Sequence, residues 1–206
     1  MAGKPHDLER LIFFSDAVIA IMLTLLALEL PVPHVRGAAE LWPALAGHAS
    51  VYIAFLVSFS VIAATWIAHH SLFTYVVRAD PGLRTLNILA LFGYVLIPWA
   101  SKTLGESPNA AGVMVYSAAM AFLGGTMLAV LRHVVRAGLV DADAPEAVLS
   151  GIRAWTVMTT LMFALSVPAA IVGGRWVMVA WPVGYVALRL LSAYYTRRNR
   201  TAADAH

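Results

Sequence analysis

The chain has 206 residues, of which 61% are hydrophobic and 12% charged, and its mean hydropathy is +0.78. Soluble domains run near 25% charged, so this composition excludes a soluble enzyme, a disordered chain and a nucleic-acid module. The small excess of 14 Lys+Arg over 11 Asp+Glu has to be read by position, and the absence of Cys excludes disulfides, thiolate metal sites and a Cys nucleophile.

Charges mark the ends of the apolar runs. Arg10 to Glu29 encloses an apolar stretch broken only by Asp16. The intervals Glu40 to Arg78, Arg84 to Lys102, Glu106 to Arg132 and Arg153 to Arg175 carry no interior charge, and a last run, Trp176 to Thr196, contains only Arg189. A membrane-spanning helix needs roughly 20 mostly apolar residues. The pattern therefore predicts an all-α integral membrane protein in one transmembrane domain over 1–206. Its six helices lie near 10–31, 48–77, 84–104, 109–133, 151–173 and 176–197. The runs are too long for barrel strands and lack a period of two. The acidic residues around the first run, and the lack of a clean cleavage site after it, make it a mature helix rather than a signal peptide.

Pro31 and Pro33 are expected to end the first helix, Asp80-Pro81-Gly82 to form a tight turn, and Gly173-Gly174 to join the last two helices. There is no internal repeat, so a transporter built from inverted halves is not indicated. An even number of spans places both termini on one side. Eleven basic residues fall there (Lys4, Arg10, Arg78, Arg84, Arg132, Arg136, Arg153, Arg189, Arg197, Arg198, Arg200), against three (Arg36, Lys102, Arg175) on the other. Basic residues favour the cytoplasmic face, so both termini are expected in the cytoplasm of a multi-pass plasma-membrane protein. Trp42, Trp99, Trp155, Trp176 and Trp181 fall near segment ends, as interfacial aromatics do. Ser117, Ala121, Gly125 and Ala129 recur every four residues and are expected to form a close-packing face.

Polar groups inside the bilayer are costly unless satisfied. Ser15 and Asp16 in the first helix, Trp66, His69 and His70 in the second, and Asn87 in the third all fall in the cytoplasmic half. They are expected to form one network joining the three helices, either a packing clamp or a His/Asp metal or proton-transfer site. Adjacent His69 and His70 point about 100° apart on a helix and cannot both face one metal. One is expected in the network and the other at the interface, and no metal site is expected. On the first helix Ile21, Leu25 and Leu28 form a narrow stripe flanked by Thr24, and Asp16 lies about 140° around from Ile21.

The run Arg10-Leu11-Ile12-Phe13-Phe14-Ser15-Asp16 fits an R-x-x-x-F-S-D pattern, followed by Ala17 to Leu26. With Trp66, His69-His70, Asn87 and Pro98 behind it, the chain resembles the bacterial members of the transmembrane-protein-175 family of potassium channels. The resemblance implies a homotetramer in which the first helix of each subunit lines a central pore with no carbonyl filter. Carried over by position, Ile21 is the main constriction, Leu25 and Leu28 form further rings, and Thr24 offers a hydroxyl layer. Arg10, Phe14, Ser15 and Asp16 belong to the packing network with Trp66, His69, His70 and Asn87. The implied function is K⁺-over-Na⁺ conduction, with K⁺ the permeant ion and no cofactor, no nucleic-acid partner and no enzymatic activity. The filter-like string Val183-Gly184-Tyr185 lacks the preceding Thr and second Gly, and reads as chance. A different reading of the same residues is a proton-permeable or proton-coupled transporter using Asp16 and a histidine of the second helix.

Overall fold

A computed structural model describes residues 5–184 and 186–187. Lys4, Tyr185, Arg189, Arg197, Arg198, Arg200 and half of the sixth expected helix lie outside the described residues. Six α-helices follow in order: α1 Pro5–Leu28, α2 Ala38–Gly47, α3 Ala49–Phe73, α4 Pro81–Glu106, α5 Ala110–Arg136 and α6 Glu146–Gly173. A 3₁₀ turn, Gly174–Trp176, follows α6, and residues 177–184 are helical again. Five of the described helical stretches, including the long one from Glu146 to Gly184, are long and apolar enough to cross a membrane.

Local chemistry accounts for the helix boundaries. α1 opens on Pro5 with Asp7 in its first turn, a favourable start for φ and for the helix dipole. It stops at Leu28, just ahead of Pro31 and Pro33. α2 has no counterpart in the sequence expectations, because ten residues with Pro43 inside them are too short to register as a span. None of its residues is buried, and Trp42 is 74% exposed.

Asp80-Pro81-Gly82 is not a free-standing turn. Asp80 caps α4, its carboxylate accepting from the Leu83 amide at 2.6 Å, and Pro81 begins the helix. Proline suits that position because its fixed φ is already helical and no N–H is lost. The reversal lies instead in residues 74–79, which pair with the α5–α6 loop: the Val77 amide donates to Leu139 O at 2.9 Å and the Asp141 amide to Tyr75 O at 2.8 Å. At the end of α6, Gly174 takes φ +52, which a side chain would oppose, and redirects the chain.

α4 and α5 form the centre of the bundle, and half of each apolar stretch is buried. α5 packs chiefly on α4 and α6, and α1 packs on α3 and α4. The close approaches fall beside the small-residue face read from sequence. Ser117 is buried, but Ala121, Gly125 and Ala129 are only partly covered, and a methyl group added to Gly125 would meet nothing. The neighbouring Gly124 lies against Thr160 of α6, and Gly93 of α4 lies against Leu123. The four-residue period selected a line about 100° away from the true contact.

Trp181 also departs from expectation. It is buried, not interfacial, stacking on Tyr116 at 5.0 Å and donating its indole N–H to Ser166 Oγ at 3.0 Å.

Candidate functional site

α1 has two unlike sides. Ser15, Ile19, Met22 and Leu26 recur at spacings of four, three and four and are buried against α3 and α4. On the opposite side Ile21 is 53% exposed, Leu25 37% and Leu28 77%. Thr24 is exposed beside them, and its hydroxyl donates to Ile21 O at 2.7 Å, leaving oxygen lone pairs directed outward.

A polar clamp fixes which side is which. Ser15 Oγ donates to Leu11 O at 2.8 Å and accepts from Asn87 Nδ2 at 2.8 Å. Asn87 Oδ1 accepts from His69 Nε2 at 2.9 Å, so the proton of His69 sits on Nε2 in this arrangement. The His69 ring stacks on Phe73 at 4.2 Å. All three polar groups are buried, and each bond satisfies a donor or acceptor that hydrocarbon would leave unpaired. One position along α1, Asp16 accepts from the Trp66 indole N–H at 2.9 Å. At the two ends Asp7 pairs with Arg84 at 3.2 Å and Glu29 with Lys102 at 2.8 Å. Tyr52 also donates to Pro31 O at 3.2 Å. Together these bonds set the rotation of α1 about its own axis.

Ser15, Asn87 and His69 thus form one chain, and Asp16 with Trp66 a second pair beside it. Of the two histidines, His69 bonds to Asn87, while His70 is exposed with its ring 5.5 Å from that of Trp66. Arg10 and Phe14 lie outside the clamp. Both are exposed, and among the described residues Arg10 has no ion pair. Helical geometry gives the reason. Arg10 and Phe14 stand 11 and 7 residues before Ile21, within about 20° of it, and so on the Ile21–Leu28 side.

A second buried cluster escaped the sequence reading. Ser58 Oγ donates to Ser101 Oγ at 3.0 Å and lies 3.0 Å from the Tyr116 hydroxyl, joining α3, α4 and α5. Its only signal was a hydroxyl in each of three apolar runs, near the middle for Ser58 and Tyr116 and at the very end for Ser101. Among the described residues no three His, Asp or Glu side chains converge as a metal site.

The family described as the endosomal/lysosomal potassium channel TMEM175 matches residues 10–98, a stretch that contains the whole clamp. A Streptomyces collinus protein named as a potassium channel is 36% identical over 190 residues, 88% of this chain and 88% of that one. This chain belongs to the TMEM175 family. That family is one of ion channels rather than enzymes. A Gallus gallus member, named an endosomal/lysosomal proton channel, is 41% identical over 112 residues, which is 50% of this chain but 22% of that protein. The crystal structure of a lysosomal potassium-selective channel TMEM175 homologue from Chamaesiphon minutus shares the fold. Its TM-score is 0.66 at 24% identity, over 94% of this chain and 98% of that one.

Proposed function

We propose that this chain is a cation channel with moderate preference for K⁺ over Na⁺, built as a homotetramer around four copies of α1. Ile21 is the principal constriction, Leu25 and Leu28 form further apolar rings, and Thr24 places hydroxyl oxygens beside the narrowest point. The observation that carries this reading is the orientation of α1. The clamp turns its polar groups into the subunit and leaves Ile21, Leu25 and Leu28 exposed along one line among the described residues. Relatives named as potassium channels support the choice of ion. No resident cofactor is needed. The excess of basic residues at one end supports cytoplasmic termini and, with the channel reading, a place in the plasma membrane.

A ring of Ile side chains works as a gate because a narrow apolar neck holds no stable water column, and an ion entering it would lose its hydration shell. K⁺ gives up that shell more readily than Na⁺, so the neck favours K⁺, and the Thr24 oxygens replace part of the lost hydration. Without a fixed cage of carbonyls, the preference stays modest. Opening then requires α1 to rotate or splay, which loads the Ser15–Asn87–His69 clamp.

The proton reading is supported by the name of the Gallus gallus relative. A relay through Asp16 and His69 has poor chemistry in this arrangement. Asp16 is bonded to an indole and His69 to the Asn87 amide, and neither partner passes protons readily. Reconstituted into liposomes, the wild-type chain should pass K⁺ faster than Na⁺, and Ile21→Asn should raise K⁺ flux. Flux unchanged by polar substitution at Ile21, Leu25 and Leu28 would rule out the pore. Transport abolished by His69→Ala in well-assembled protein would favour the proton relay.

A further inference from the structure

We propose that the outward side of the α5–α6 seam, at the Arg132 and Arg153 end, binds the headgroup of an anionic phospholipid. The placement follows from a close approach within the seam, Gly124 against Thr160. Arg132 stands eight residues after Gly124, and Arg153 seven residues before Thr160. The helices run antiparallel, so both arginines lie toward the same membrane face, about 12 and 10 Å from the contact at 1.5 Å per residue. Their angular positions agree as well. At 100° per residue, Arg132 is about 80° and Arg153 about 20° from the seam, both turned away from the buried faces of their helices. Arg136 continues the α5 line one turn further out.

All three arginines are exposed, and among the described residues none is ion-paired. None of the acids at this end is paired with these arginines among the described residues: Glu9 lies beside His6, and Asp141 and Asp143 stay exposed in the loop before α6. Asp7 holds Arg84, Asp80 holds His133, and Asp141 accepts the Asp143 amide. Glu146 shares a face with Arg153 but lies about 10 Å nearer the helix start. A bias of basic residues toward one membrane face is general, and it does not require them to converge on one side of one helix pair. Guanidinium groups in that arrangement match a phosphodiester, which they can grip in a bidentate fashion.

The surface leading from these arginines into the bilayer suits an acyl chain. Gly125 and Ala129 on α5 leave it shallow, with open space over Gly125, and the half-buried Val157, three residues before Thr160, falls on the same side of α6 by helical position. Since α1 packs on α3 and α4, this seam faces outward in an assembly built around α1. The site therefore stands or fails separately from the pore.

The test is lipid retention by the purified full chain, counted by native mass spectrometry during titration with dioleoylphosphatidylglycerol and, in parallel, dioleoylphosphatidylcholine. The wild type should retain phosphatidylglycerol about tenfold better, and the Arg132→Gln/Arg153→Gln double variant should lose most of that preference. Arg78→Gln should leave it intact. Raised salt should weaken it, and free inorganic phosphate or glycerol 3-phosphate at the lipid's concentration should not displace the lipid. Equal retention of the two lipids by the wild type overturns the proposal, a result that does not depend on any variant folding. An unchanged preference in a folded double variant, or displacement by free phosphate, overturns it too.

Discussion

The two sides of α1 solve opposite problems on one helix. One side carries Ser15 into a buried chain of hydrogen bonds with Asn87 and His69, where every polar group has a partner. The other carries Ile21, Leu25 and Leu28, all of them exposed among the described residues. The first side is specified by the subunit's own packing, and removing a partner there should damage the fold. The second is specified by something outside the subunit, so changes there should alter function and spare stability.

The largest effect is expected on the clamped side. Asn87→Leu leaves the His69 N–H unpaired in a buried setting and takes from Ser15 Oγ the donor it accepts, although the Ser15 hydroxyl keeps its own bond to Leu11 O. It should cost about 1–3 kcal/mol, read as a lowered unfolding midpoint in detergent. Asn87→Asp would be a poor control, because it adds a buried charge; Asn87→Gln is preferable. On the open side, Ile21→Asn should change stability by less than about 0.5 kcal/mol. It should raise K⁺ flux about tenfold, on the order of 1.4 kcal/mol of barrier. A large stability loss at Ile21 with no change in flux would dissolve the contrast between the two sides.

Trp66→Phe sharpens the comparison. It removes one hydrogen bond to Asp16, a carboxylate that is half-buried rather than enclosed, and should cost about 0.6–1.7 kcal/mol of thermal stability. A loss as large as that of Asn87→Leu would mean that the two bonded groups act as one unit.

The smallest effect lies outside the membrane, where His133 bonds both carboxylate oxygens of Asp80 at 2.9 and 3.0 Å. Partial burial pushes the Asp80 carboxyl up, but the Leu83 amide, His133 and the charge of Arg78 outweigh this and hold it below its ordinary value of 3.8. A carboxylate with a depressed pKa adds stability that is complete above the ordinary value and is lost as pH falls through the lowered one. Stability should therefore decline on acidification below about pH 4, and Asp80→Asn should flatten that decline. An identical acid limb in the variant would show that the pair contributes nothing.

Much of the clamp was legible because its members are out of place. Asp16 and Asn87 are the lone acid and the lone amide within their apolar runs, His69 and His70 form a polar pair in another, and the bilayer makes them conspicuous. Which histidine takes part was not legible. His69 and His70 differ only in direction, and that direction depends on where α4 packs. Arg10 and Phe14 sit close to Ser15 in sequence, yet the helical turn carries them to the other side. α2 was invisible for a different reason: it neither spans nor buries anything, so neither length nor periodicity marks it. The Ser58–Ser101–Tyr116 cluster was hidden because serine and tyrosine are unremarkable in apolar helices until their depths are compared.

The central claim is that the uncovered side of α1 faces the ions. The chain contains no cysteine, so single cysteines can be placed on an otherwise unreactive background. Ile21→Cys, Leu25→Cys and Leu28→Cys on the open side should be compared with Ile19→Cys and Met22→Cys on the buried side. Reconstituted K⁺ flux is measured before and after a small cationic thiol reagent. The account predicts block at Ile21, Leu25 and Leu28 and little change at Ile19 and Met22. Block confined to the buried positions, or absent from all five, would contradict it.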